Sequence, residues 1–182
     1  MGSEMCIRDR AQAIPKGKNM ELIVEKATEL GAAGIIPLLS ERTVVSLKPD
    51  EATKKQEKWQ RTAIGACKQC GQNWLPEVAL PQSISAFLTH PPKADFLAIA
   101  SLEADTKSIK DAIAEAAEKQ GSLPTSAIVL IGPEGDFSLS ETTQALAAGF
   151  RPLTLGPIVL RTETAAIYTL SVLSHELQGS HP

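Results

Sequence analysis

Aromatic residues are scarce: two Trp, one Tyr and four Phe in 182 residues. A core made from this chain must therefore rest on Leu, Ile, Val and Ala, which suits a sheet covered by helices. Cysteine is rarer still, with Cys6, Cys67 and Cys70 alone. An odd count with two members close together argues against a disulfide scaffold and for a reducing compartment. No apolar run approaches the length of a membrane span, and residues 1–10 lack the apolar centre of a signal peptide. A large excess of one charge is also missing. At a net charge of -3 the chain is no general polyanion binder, so any nucleic-acid contact must come from a local patch. The phosphate-cradling signatures are absent too. There is no Gly-x-Gly-x-x-Gly after a strand, no Walker-type Gly-Lys-Ser/Thr loop and no Gly-x-Ser-x-Gly elbow. His90, His175 and His181 have no ligand spacing, and Cys67-Lys68-Gln69-Cys70 lies late in a helical pattern without a second cysteine pair. These are ordinary helix residues, and no metal site is expected.

What remains is a chain of single-domain length with 43% hydrophobic and 21% charged residues, ordinary for a soluble globular protein. Met1-Gly2-Ser3 looks like the start of an expression leader, and residues 1–10 are read as lying outside the fold. Residues 11–18 form a basic lead-in. Met20, Ile23, Val24, Ala27 and Leu30 recur at helical spacing, so the pattern predicts a helix over 18–30, ended by Gly31. Residues 34–39 read as a buried strand that Pro37 pushes towards an edge or a bend. Pro49 opens a helix to about residue 69, with Trp59, Ala63, Ile64, Ala66 and Cys67 inward. Its other face carries Lys54, Lys55, Lys58, Arg61 and Lys68, read first as a solvated face. A short extended piece at 77–79 and a helical turn or two at 84–88 follow.

The second half alternates strongly. Strands are expected at 94–100, 127–131 and 152–155, and helices at 106–119, 138–148 and 162–177. Ser138-Leu139-Ser140-Glu141 is a capping-box pattern for the second of those helices. Such alternation predicts an α/β fold, a mostly parallel sheet with helices on both faces.

Two loops stand out. Gly132-Pro133-Glu134-Gly135-Asp136-Phe137-Ser138 follows the clearest strand, and Gly156-Pro157 opens a turn into Arg161-Thr162-Glu163-Thr164. Two such loops at strand ends are what a ligand pocket in an open α/β sheet needs. The functional reading of Gly132 and Gly135 is that they let the backbone approach a ligand. Glu134 is either a solvated loop residue or a hydrogen-bonded tie to a neighbouring loop. Arg161 and Glu163 sit in apolar and hydroxyl-bearing sequence, so they are either paired for structure or placed for chemistry.

Residues 131–138 followed by 155–165 resemble the RsmE family of SPOUT-superfamily RNA methyltransferases. Met20-Glu21, Lys26-Ala27-Thr28-Glu29-Leu30-Gly31, Ser40-Glu41-Arg42-Thr43 and Gln69-Cys70-Gly71 fit the same family, over about residues 11–177. Asp136, Ile158 and Gln72 depart from its usual pattern. The resemblance implies a C-terminal half threaded as a deep trefoil knot, a homodimer, and a cytoplasmic enzyme. It would methylate N3 of a uridine in small-subunit ribosomal RNA with S-adenosylmethionine as cofactor. Residues 11–182 would be the methyltransferase domain, without the PUA-like domain that usually precedes it. By the same resemblance, Ser101, Leu102 and Glu103, Ile131, Gly132, Pro133, Glu134 and Gly135, and Leu155, Gly156, Ile158, Leu160, Arg161 and Thr162 would line the cofactor site. Arg161 would stabilise the uracil anion, with Glu163 as its orienter or as the base. Arg42, Lys26 and Gln69 would contact RNA. Two alternatives share the fold: a ribosome-assembly or RNA-binding protein without catalysis, and a methyltransferase acting on transfer RNA.

Overall fold

The computed structural model describes residues 7–17, 19–43, 47–102 and 106–177. Eight strands form one sheet: β1 (Ile7–Ala13), β2 (Gly34–Leu39), β3 (Glu77–Val78), β4 (Gln82–Ser83), β5 (Phe96–Ala100), β6 (Lys107–Ser108), β7 (Ser126–Ile131) and β8 (Arg151–Thr154). Six helices connect them: α1 (Asn19–Glu29), α2 (Pro49–Cys70), α3 (Ile84–Thr89), α4 (Ile109–Gln120), α5 (Leu139–Ala147) and α6 (Thr162–Leu177). The strand order is β3-β2-β1-β7-β5-β8-β6, with β4 beside β2, and each of these pairings is parallel. The expected parallel α/β architecture is the one observed.

Helices cover both faces, and the sheet's side chains divide accordingly. Ala127, Val129 and Ile131 pack with α4 and α6 through Ile109, Ile113, Leu173 and Leu177. Ile128 and Leu130 point the other way, to Phe87 of α3 and Ala145 of α5. A strand buried on both faces reads as an unbroken apolar run, which is why β7 was the clearest strand in the sequence. A third cluster joins α1, α2 and α6 through Val24, Trp59, Ala63 and Leu170. The inward face of α2 is narrower than its pattern suggested, because Ile64 is exposed.

Three expectations need correction. Residues 7–10, read as a leader outside the fold, form the first half of β1, which lies between β2 and β7. Arg8-Asp9-Arg10 carries no apolar alternation, so only the pairing on both sides makes it a strand. Residues 1–6 lie outside the described residues. Pro37 does not put β2 at an edge. The Ile35 carbonyl accepts from Ala79 N at 2.9 Å, so Pro37, two residues on, faces that same side. There β3 pairs residues 34–35 and β4 pairs residues 38–39, and the proline falls between them. Its missing N–H is spent in a gap between two short strands. Last, residues 107–108 pair with β8 before α4 begins, and the Ser108 hydroxyl caps that helix at Asp111 N, 3.1 Å.

Candidate active site

The carboxyl ends of β7, β5 and β8, three neighbours in the sheet, open into one cavity of about 660 Å³. This is where a parallel sheet presents a ligand site, since its strand ends and following loops converge there. Its walls are Ala100 to Leu102 after β5, Ile131 to Glu134 and Asp136 after β7, and Thr154 to Glu163 running from β8 into α6. Asn19 at the start of α1 and Ala165 complete it.

The loop after β7 is built by hydrogen bonds in every direction. Asp136 N donates to the Pro133 carbonyl at 2.9 Å, closing the turn. Asp136 itself has φ of 60°, a left-handed backbone that Asp tolerates better than most residues. Its Oδ1 accepts from Phe137 N at 2.8 Å, and its Oδ2 accepts from Leu102 N at 3.4 Å, on the neighbouring loop. Gly132 is required by this turn. A methyl there would lie 2.9 Å from Asp136 Oδ1 and 3.2 Å from both Asp136 Cα and Phe137 N. Glu134 is exposed and also serves as a tie: its Oε1 accepts from Lys16 N at 2.9 Å. Glu141, only 3% exposed, closes the expected capping box with Ser138 N at 2.8 Å and also takes Glu41 N at 2.8 Å.

The segment after β8 is different. Thr154 Oγ1 accepts from Gly156 N at 3.2 Å, and Leu155 and Leu160 rest on the core. Between them Ile158 and Val159 are 73% and 72% exposed. Gly156 has φ of 114°, reachable for glycine and strained for anything else. Arg161 is the last residue before α6, and its carbonyl accepts the first helical bond, from Ala165 N at 2.8 Å. Its guanidinium therefore stands at the positive end of the helix, where a cation costs stability. Among the described residues it makes no hydrogen bond or ion pair, and neither does the Glu163 carboxylate. The two are not a structural ion pair.

Most of the residues assigned to a cofactor line this one cavity: Ser101, Leu102, Ile131, Gly132, Pro133, Glu134, Leu155, Gly156, Ile158, Leu160, Arg161 and Thr162. So does Glu163. Glu103 lies outside the described residues. Gly135 does not line the cavity; the face where its side chain would be is turned to the Arg42 stem, 3.4 Å away. Of the three residues assigned to RNA, none lines it. Lys26 pairs with Glu25 at 2.8 Å and Glu29 at 2.9 Å, and these bonds hold its ammonium above the ordinary lysine pKa. Gln69 is exposed on the last turn of α2. Asn19 and Asp136 were missed. The Gly-Asp pair in the loop was a signal for Asp136; nothing local marks Asn19.

Fold and cavity together define an α/β domain with a ligand site at the carboxyl ends of parallel strands, ringed by glycine-bearing loops and by an arginine that is unpaired among the described residues. Comparison with known proteins gives the family. The RNA methyltransferase domain family matches residues 8–174, and the chain belongs to it. It is 36% identical over 169 residues to the ribosomal RNA small subunit methyltransferase E of Synechocystis sp., covering 93% of this chain and 53% of that protein. The Bacillus subtilis protein of the same name is 34% identical, with 92% and 65% covered. The chain thus spans about half to two thirds of these relatives. A Legionella pneumophila protein solved with bound SAM superposes with TM-score 0.85 at 40% identity, covering 94% of this chain and 66% of that one. The ribosomal RNA small subunit methyltransferase E of Neisseria gonorrhoeae, also bound to S-adenosyl methionine, gives 0.79 at 30% identity, with 93% and 65% covered.

Proposed function

We propose that the domain transfers a methyl group from S-adenosylmethionine to N3 of a uridine in small-subunit ribosomal RNA. The observation that carries this is the Arg161 guanidinium, without a partner among the described residues, at the rim of a cavity whose other charged walls among those residues are Glu134, Asp136 and Glu163. The residues present fit that cofactor. A volume of about 660 Å³ is in the range of small-molecule sites. Three carboxylates against one guanidinium suit a cationic ligand, and Leu102, Ile131, Leu155, Ile158 and Leu160 offer apolar surface to an adenine. Ser101, Gly132, Pro133, Gly156 and Thr162 supply main-chain and hydroxyl groups beside it. When bound, the cofactor supplies a methyl group made electrophilic by a sulfonium.

The chain's own task is the nucleophile. Uracil N3 carries a proton and attacks poorly until that proton passes to a base, here solvent water or the Glu163 carboxylate. The resulting anion is spread over N3 and the two flanking carbonyl oxygens. A guanidinium stays charged at any working pH and donates two parallel hydrogen bonds, so Arg161 stabilises that anion. Glu163, in the first turn of α6, orients Arg161 as the base enters. RNA is drawn to the exposed cations Lys54 and Arg61 of α2, together with the engaged Lys58, Lys26 and Arg42 and the amide of Gln69. A homodimer belongs to this reading, with apolar residues of α6 supplying the contact face. The knotted path of the C-terminal half and a cytoplasmic place of action belong to the same reading. No helix among the described residues is long and apolar enough to cross a membrane.

The test is incubation with labelled S-adenosylmethionine and small subunits or their RNA, followed by mass spectrometry of the nucleosides. The reading requires 3-methyluridine, abolished in Arg161→Ala. Methyl transfer to transfer RNA alone, or cofactor binding without transfer to either RNA, would contradict it.

A further inference from the structure

Arg42 lies on the turn after β2, outside the cavity, and was assigned above to RNA. The structure gives its guanidinium another partner. Nη1 donates to the Gly135 carbonyl at 2.6 Å and to the Phe137 carbonyl at 3.3 Å, while the stem crosses Gly135. Other polar groups of the loop after β7 are engaged within it. The Pro133 carbonyl is taken by Asp136 N, Phe137 N is taken by the Asp136 carboxylate, and Ser138 N is taken by Glu141. Gly135 and Phe137 flank the residue with the left-handed backbone, so their carbonyls fix the direction of that turn. A charge-assisted bond is shorter and stronger than a neutral one, and a single Nη1 with two hydrogens can serve both acceptors.

We propose that Arg42 is a positioning residue for the cavity wall. It clamps the outer side of the loop, so that Gly132, Pro133, Glu134 and Asp136 present their inner side to the ligand. The proposal rests on the cavity being the cofactor site, but the clamp itself can be read without a cofactor. Glu141 ties the same two segments independently, through Glu41 N and Ser138 N. Loss of Arg42 therefore loosens the loop and leaves the fold intact.

The experiment compares the wild-type chain with Arg42→Ala and Arg42→Lys by amide hydrogen exchange over residues 132–138, by calorimetric titration with S-adenosylhomocysteine, and by melting. In Arg42→Ala the loop amides exchange about 10-fold faster or more, and the Kd rises about 10-fold, because small misplacements of a binding wall are costly. The Tm moves by no more than about 4 °C, as expected for a surface residue in a chain of this size. Arg42→Lys keeps the charge, reaches one carbonyl instead of two and falls between the others. A residue serving only RNA would leave loop exchange and Kd at wild-type values in both variants, and that result overturns the proposal. If the wild-type chain binds no S-adenosylhomocysteine, the cofactor reading fails, while faster loop exchange in Arg42→Ala still establishes the clamp.

Discussion

The loop after β7 and the segment after β8 look alike in sequence, each a Gly-Pro turn leaving a strand towards a helix. In the structure they are opposites. The first is held by Arg42, Lys16 N, Glu141 and its own Asp136, and it reaches across to Leu102. The second rests Leu155 and Leu160 on the core and, among the described residues, has one side-chain tie, from Thr154; it shows Ile158 and Val159 to solvent and ends on a guanidinium with no partner among those residues. A binding site needs both kinds of wall. The tied loop is organised before a ligand arrives, so little ordering entropy is lost there on binding. The open segment keeps its donors and apolar surface for something not yet present. Unspent polar capacity beside spent polar capacity marks where chemistry is done.

Substitutions on the two sides should therefore fail in different ways. Arg161→Ala, on the open side, is expected to cost about 10²–10³ in turnover, as removal of an anion-stabilising donor does. Stability should not fall, since the cation leaves the positive end of α6; single-turnover kinetics and melting check both. Gly132→Ala strikes the tied side. Its methyl meets the backbone of Asp136 and Phe137 at 3.2 Å, so about 1–3 kcal/mol of stability should be lost together with ligand affinity. Glu141→Ala leaves Glu41 N and Ser138 N without their acceptor and should cost about 1–2 kcal/mol in urea unfolding, with the loop loosened towards the character of its counterpart. Gly135→Ala is the control. The nearest atom is the flexible Arg42 stem at 3.4 Å, so the change should stay within about 0.5 kcal/mol. If Gly132→Ala and Gly135→Ala behaved alike, the account of the tied loop would be wrong.

Much of this was legible beforehand because several signals agreed at once. The Ser138–Glu141 capping box and the Gly31 stop each had local chemistry pointing the same way as the hydrophobic period. The first half of β1 was not legible, because charged residues become a strand there only through two partners far along the chain. Pro37 misled for a related reason: its neighbours β3 and β4 are two residues each, and no local pattern shows the space between them. At the site, the two loops pointed to a pocket, and the family resemblance named most of its lining. It did not show which way each glycine faces. Gly132 looks onto Asp136 and Gly135 onto Arg42; these relations belong to the turn's geometry, not to residue type.

The central claim is that three strand-end loops, one of them tied in advance and one left open, form a single cofactor cavity with Arg161 reserved for the substrate. Calorimetric titration of the chain and of Arg161→Ala with S-adenosylhomocysteine tests it most directly. The account predicts about one site per chain and the same affinity in both proteins. A folded wild-type chain that binds nothing, or an Arg161→Ala variant that loses binding, would contradict it.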